Sequence, residues 1–156
     1  MVAAAMGQAP SFNWTAKGGG PNVDFARSIA VDGRGDVIAT GSYYNSMTFG
    51  GTTLTGTANR FSTYVVKYGS SGSVAWAKSI DIASDDHVFG LGVAAANSGD
   101  AYITGYRADG NRMFIAKYSS DGKNGRFVPQ YDQPVMNAAN GPNARLLHTY
   151  TPPSSG

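Results

Sequence analysis

The densest polar spot in the sequence is the triplet Asp85-Asp86-His87. Two carboxylates beside an imidazole could hold a metal or exchange protons, with Asp24 joining from the equivalent place of an earlier, similar segment. A metal site needs three or four converging ligands, and imidazole comes only from His87 and His148. A solvated turn ahead of a strand explains the same residues, because Asp favours turns. The stretch Asp32-Gly33-Arg34-Gly35-Asp36 contains an Arg-Gly-Asp tripeptide and an echo of an acidic calcium loop. Calcium takes at least about six oxygens, which two Asp do not provide, and Gly with Asp is hairpin-turn chemistry. Asn13-Trp14-Thr15 fits a glycosylation acceptor, but it falls on a predicted strand and chance accounts for it.

The pairs Tyr43-Tyr44 and Tyr106-Arg107 are more suggestive. Each follows a predicted second strand and opens a connecting loop at one end of a sheet. Asp24 and Asp85, Asp86 and His87 enter a first strand from that same end. Aromatic faces with Arg and Asp could hold a sugar by stacking and hydrogen bonds. The competing explanation is packing of Tyr between sheets, where Tyr is common. The candidate ligand-binding residues are therefore Tyr43, Tyr44, Asp85, Asp86, His87, Tyr106 and Arg107. Lys67 and Lys117 occupy the same place in two similar segments, each just before a Tyr. Their stems are expected to run along a sheet with the ammonium at the rim. No nucleophile, metal set, phosphate loop or signature carboxylate pair stands out. The sequence reads as a non-enzyme, without metal or cofactor.

Turn and strand chemistry dominates the composition. All ten acidic residues are Asp, and Gly 21, Tyr 9 and Phe 7 accompany them. The 14% charged fraction leaves little for the solvated faces of helices. Twelve basic residues are scattered without a stripe, so nothing favours nucleic acid. Cys is absent, which removes disulfides and thiol chemistry. No apolar run is long enough for a membrane-spanning helix.

The chain repeats itself. Gly35–Gly41 reads GDVIATG and Gly99–Gly105 reads GDAYITG, 64 residues apart. Tyr64–Gly72 reads YVVKYGSSG and Phe114–Gly122 reads FIAKYSSDG, 50 apart. The difference of 14 lies in one link, which is long after Gly41 and short after Gly105; the long version is expected to extend its hairpin. Each unit has four predicted strands, at 26–31, 36–43, 62–68 and 73–80, then at 88–94, 100–106, 113–118 and, degraded, 125–131. Turn signals separate them, as in an antiparallel meander. A four-stranded meander in tandem is the unit of a β-propeller. The expected fold is all-β, with two propeller-type blades at about 18–80 and 81–132. An N-terminal arm spans 1–12, an orphan N-terminal strand begins at Trp14, and an irregular Pro/Asn-rich tail covers 133–156.

The run from Ser28 to Gly41, followed by Lys67, Tyr68, Gly72 and Trp76, resembles the bacterial seven-bladed β-propeller (SBBP-type) repeat. Ser28, Ile29, Ala30, Val31, Asp32, Gly35, Thr40 and Gly41 match it in the first copy. Val93, Gly99, Thr104, Gly105, Lys117, Tyr118 and Gly122 match in the second. The second copy departs with Ala94 at the Asp place and Arg126 near the Trp place. The resemblance covers about residues 14–127 and implies a propeller fold on a secreted or cell-surface protein.

Two blades would leave apolar faces bare at both ends, and closed propellers have roughly four to eight. Trp14–Lys17 carries the signature of a fourth strand with no blade ahead of it. A fourth strand supplied between chains would close a ring, so self-association is expected, with Trp14 and Lys17 at the contact. The leading expectation is a non-catalytic module for extracellular binding or structural assembly. The alternatives are a carbohydrate-binding lectin formed by an oligomeric propeller and a piece of a larger propeller enzyme. Five of seven Pro lie from residue 129 onward, so no regular sheet is expected beyond about 133, and Arg145–Tyr150 is expected to dock as an apolar patch.

Overall fold

The computed structural model describes residues 13–81, 86–108, 112–123 and 125–129. The arm, Asp85 and the tail, with its expected docking patch, lie outside the described residues. Within them the chain is all-β and antiparallel, with eleven strands and no helix. These are β1 (Gly18–Gly19), β2 (Asp24–Val31), β3 (Val37–Tyr44), β4 (Ser46–Phe49), β5 (Thr52–Thr55), β6 (Phe61–Tyr68), β7 (Val74–Ile80), β8 (Val88–Ala95), β9 (Ala101–Arg107), β10 (Arg112–Tyr118) and β11 (Gly125–Pro129). They form three sheets, ordered β2-β3-β6-β7, β8-β9-β10-β11 and β1-β4-β5.

Turn chemistry fixes both meanders. In the β2–β3 turn the Gly35 N–H donates to the Asp32 carbonyl at 3.0 Å, and in the β8–β9 turn the Gly99 N–H donates to the Ala96 carbonyl at 2.9 Å. Gly35 and Gly99 have φ of +80° and +91°, a left-handed backbone that glycine adopts freely. Gly72 and Gly122 do the same after β6 and β10. This alignment corrects one residue of the sequence reading. Ala96, not Ala94, stands where Asp32 stands, because Ala96 makes the same pair of turn hydrogen bonds.

The two meanders lie face to face. Ile38, Val65 and Ile80 of the first pack with Val88, Ile103, Phe114, Ala116 and Tyr118 of the second. Strand alternation sends the intervening residues to the outer faces. On the first meander's outer face, Tyr64, Val66, Tyr68 and Ala77 are covered by Met47, Phe49 and Leu54. Those three come from the long link, which forms the separate β4–β5 hairpin joined by β1 and does not lengthen β3 and β6. Among the described residues nothing covers the second meander in this way, and Tyr102, Met113 and Ile115 are 38%, 47% and 45% exposed. Its fourth strand is real: β11 pairs with β10 from Tyr118↔Gly125 to Phe114↔Pro129.

Candidate functional site

The strand starts of β2, β6, β8 and β10 and the strand ends of β3, β7 and β9 share one edge of the stacked sheets. Six rings collect along it. Phe61 is the hub, with ring centroids 5.8 Å from Phe25, 5.1 Å from Tyr44, 5.7 Å from His87 and 5.3 Å from Phe89. Phe89 then stacks on Tyr106 at 5.1 Å. The row crosses from the first meander to the second. Arg27 lies 5.0 Å over Phe25 at one end, and the Arg107 Nε is 4.0 Å from Asp86 at the other.

Five of the residues singled out in the sequence, Tyr44, Asp86, His87, Tyr106 and Arg107, thus belong to one edge. His87 Nδ1 accepts the Phe61 N–H at 3.0 Å, which puts a neutral ring's proton on Nε2 and ties the second meander to β6. Tyr43 is not part of this surface. It is fully buried, its hydroxyl donates to Ser79 Oγ at 2.7 Å, and burial pushes its pKa up. Strand alternation turns it inward while Tyr44 turns to the rim. Asp24 is not the counterpart of the Asp85–His87 triplet either. It pairs with Tyr43 as Val88 pairs with Arg107, and its Oδ2 accepts the Gly20 N–H at 2.7 Å. Phe25, Phe61 and Phe89 escaped the sequence reading. Their signal was available: each is aromatic and sits at or next to a strand start.

The opposite edge carries a repeated lock. Trp76 Nε1 donates to the Ser120 carbonyl at 3.0 Å, and its ring lies 5.9 Å from Tyr118. Trp14 Nε1 donates to the Ser70 carbonyl at 3.1 Å, and its ring lies 5.9 Å from Tyr68. Trp14 is half-buried and docks within its own chain, while Lys17 is exposed. On this edge Lys67 departs from the snorkelling expected of it. It is 1% exposed, with Nζ 2.7 Å from Asp32, 3.2 Å from Asp36 and 3.2 Å from the Gly99 carbonyl. Two carboxylates and a carbonyl from the other meander replace water around the ammonium, so the charge stays inside. Arg34 donates to the Ser98 carbonyl at 3.1 Å, so the Arg-Gly-Asp tripeptide is held in this inter-sheet contact. Lys117 is 2.9 Å from Asp100, Ala96 stands where Asp32 gives Lys67 its closer carboxylate, and the Lys117 side chain is 38% exposed.

A cleft of about 440 Å³ opens on the first meander's outer face, between Trp14, Phe25, Ile29, Val37, Phe49 and Tyr64. Burial, aided by Tyr68 and Asp24, pushes the Tyr64 hydroxyl up to about 12, so it is a neutral donor there. Among the described residues no three His, Cys, Asp or Glu come together as metal ligands. The arrangement offers ring faces, two guanidinium groups and an apolar cleft, which suit binding by contact. Comparison with known protein families gives no match, and no curated protein matches the chain.

Proposed function

We propose that the chain is a non-catalytic β-propeller module for structural assembly and binding outside the cell, each meander serving as one blade. The duplicated tryptophan lock carries this reading. Trp76, on the fourth strand of the first meander, grips the β10–β11 turn of the second. Trp14 grips the β6–β7 turn of the first in the same way, where a preceding blade would place its own fourth-strand Trp. Face-to-face stacking of four-stranded antiparallel sheets is what successive propeller blades would require, and the repeated grip supports that reading. Further copies of the chain would supply the remaining blades of such a ring. Light scattering on the intact protein at micromolar concentration tests the reading. A closed oligomer of three or four chains is expected, and a folded monomer at 16.2 kDa would overturn it.

The aromatic edge supports a second reading, a carbohydrate-binding lectin. Ring faces suit the apolar faces of sugars, and Arg107 with Asp86 adds hydrogen-bonding groups. A glycan array with the wild type and with Tyr106→Ala/Arg107→Ala decides it. Binding lost in the double variant supports a site there; equal binding by both proteins excludes it.

A further inference from the structure

The internal contact between the two meanders is a template for a contact between copies. On the inner faces Ile38 and Val65 pack with Ile103, Phe114, Ala116 and Tyr118. The repeat offsets of 64 and 50 carry Ile38 to Tyr102 and Val65 to Ile115, both exposed among the described residues on the outer face of the second meander. They carry Ile103, Phe114, Ala116 and Tyr118 back to Ala39, Tyr64, Val66 and Tyr68, which all line the cleft on the first meander. The second meander's outer face thus repeats the first meander's inner face, and the cleft repeats the part of the second meander's inner face that Met47, Phe49 and Leu54 leave open.

The fourth strands show how they meet. In the first meander Trp76 lies opposite Lys67 across β6 and β7. In the second, the same register sets Arg126 opposite Lys117, two cations across from each other, and like charges so placed weaken strand pairing. In the first meander the residue opposite this lysine is a tryptophan, and the chain's other tryptophan is Trp14. It already holds the Ser70–Gly72 turn as a preceding blade's tryptophan would.

We propose that Trp14–Gly18 of one copy forms the fourth strand of the second meander of another copy, taking the place of β11 with Trp14 opposite Lys117. This rests on the propeller reading and adds its partner, a second copy of this chain, and its register. Ile115 and Tyr102 of the second copy then close the cleft, and the cation–cation pair becomes a lysine beside an indole. Lys117 Nζ gains the Gly35 carbonyl of the neighbour, as Lys67 has that of Gly99.

The chain has no cysteine, so an engineered pair reports contacts cleanly. By the register Ala77↔Val66 and Lys78↔Val65, Ala16 falls opposite Ile115 of the other copy. Within one chain these residues lie on opposite outer faces. The full-length Ala16→Cys/Ile115→Cys variant should keep the wild-type mass when reduced. Oxidised, it should give covalent species at multiples of 16.2 kDa, ending at the ring size, while each single variant stops at a dimer or below. An oligomer that oxidises without this ladder overturns the strand exchange and leaves the propeller reading standing. A wild-type monomer overturns both, and leaves the outer faces to another occupant such as the chain's own residues 130–156.

Discussion

The indole of Trp76 lies over Gly122, with Cδ2 2.7 Å from the point a β-carbon there would occupy. Trp14 lies over Gly72 at the same 2.7 Å. Both glycines also have left-handed backbones, with φ of +70° and +86°. A side chain at either site would be strained twice, once by its backbone and once by the ring above it.

Gly122→Ala should therefore destabilise the fold by about 3 kcal/mol, combining a left-handed non-glycine residue with overpacking. Gly51→Ala is the matched control, because nothing lies within 4 Å of its added carbon. Urea unfolding followed by circular dichroism should separate the two midpoints clearly. Equal midpoints would mean that the Trp76 ring moves aside at no cost.

The buried Lys67 gives a second expectation. Asp32→Asn removes the closer of its two carboxylates, 2.7 Å against 3.2 Å for Asp36. Breaking a buried pair from one side costs about 3–5 kcal/mol. Asp36 remains, so the loss should lie near the lower end, about 3 kcal/mol. Lys117→Ala in the intact chain, where the pair is more exposed, should move the unfolding midpoint far less. The two variants measured side by side test whether burial, and not the ion pair as such, sets the cost.

The same aspartate makes stability depend on acid. Burial pushes the Asp32 carboxyl up, but the hydrogen bond from Lys67 and the backbone N–H groups of Arg34 and Asp36 outweigh it and hold its pKa below the ordinary 3.8. The unfolded chain thus takes up the proton more readily than the folded one. The contribution is complete above the ordinary carboxylate range and disappears as pH falls through 3.8 and below the folded value. Stability of the wild type should drop on going from about pH 5 to about pH 3. Asp32→Asn should show a shallower slope over the same titration, and parallel curves would assign the acid sensitivity elsewhere.

How legible was this in the sequence? The meander strands were readable because the turns after β2, β6, β8 and β10 each end in a left-handed Gly, beside Asp, Asn or Ser, and recur at fixed offsets. The β4–β5 hairpin was not, since a long polar link can extend a strand pair or fold into its own sheet, and the choice depends on Tyr64 and Tyr68 needing cover. Lys67 was misread because one strand cannot show that Asp32 and the Gly99 carbonyl converge on it. Tyr44, His87, Tyr106 and Arg107 were placed at one edge from the meander geometry alone. Phe61, their hub, is legible as an aromatic residue at a strand start, but its four ring contacts come from other strands and no single stretch of sequence shows them.

Phe61 supplies the last expectation. Its ring contacts four others, whereas Tyr106 at the end of the row stacks only on Phe89 among the ring contacts described. Its N–H also holds His87 of the second meander, and a side chain lost there leaves Phe25, Tyr44, His87 and Phe89 without their common neighbour. Phe61→Ala should cost about 3 kcal/mol, as a truncated packed aromatic does, and Tyr106→Ala about 1 kcal/mol. The His87 ring carbon resonances should shift strongly in Phe61→Ala and weakly in Tyr106→Ala. If the two substitutions cost the same and move His87 equally, the row is not organised around Phe61, and its rings are independent surface contacts.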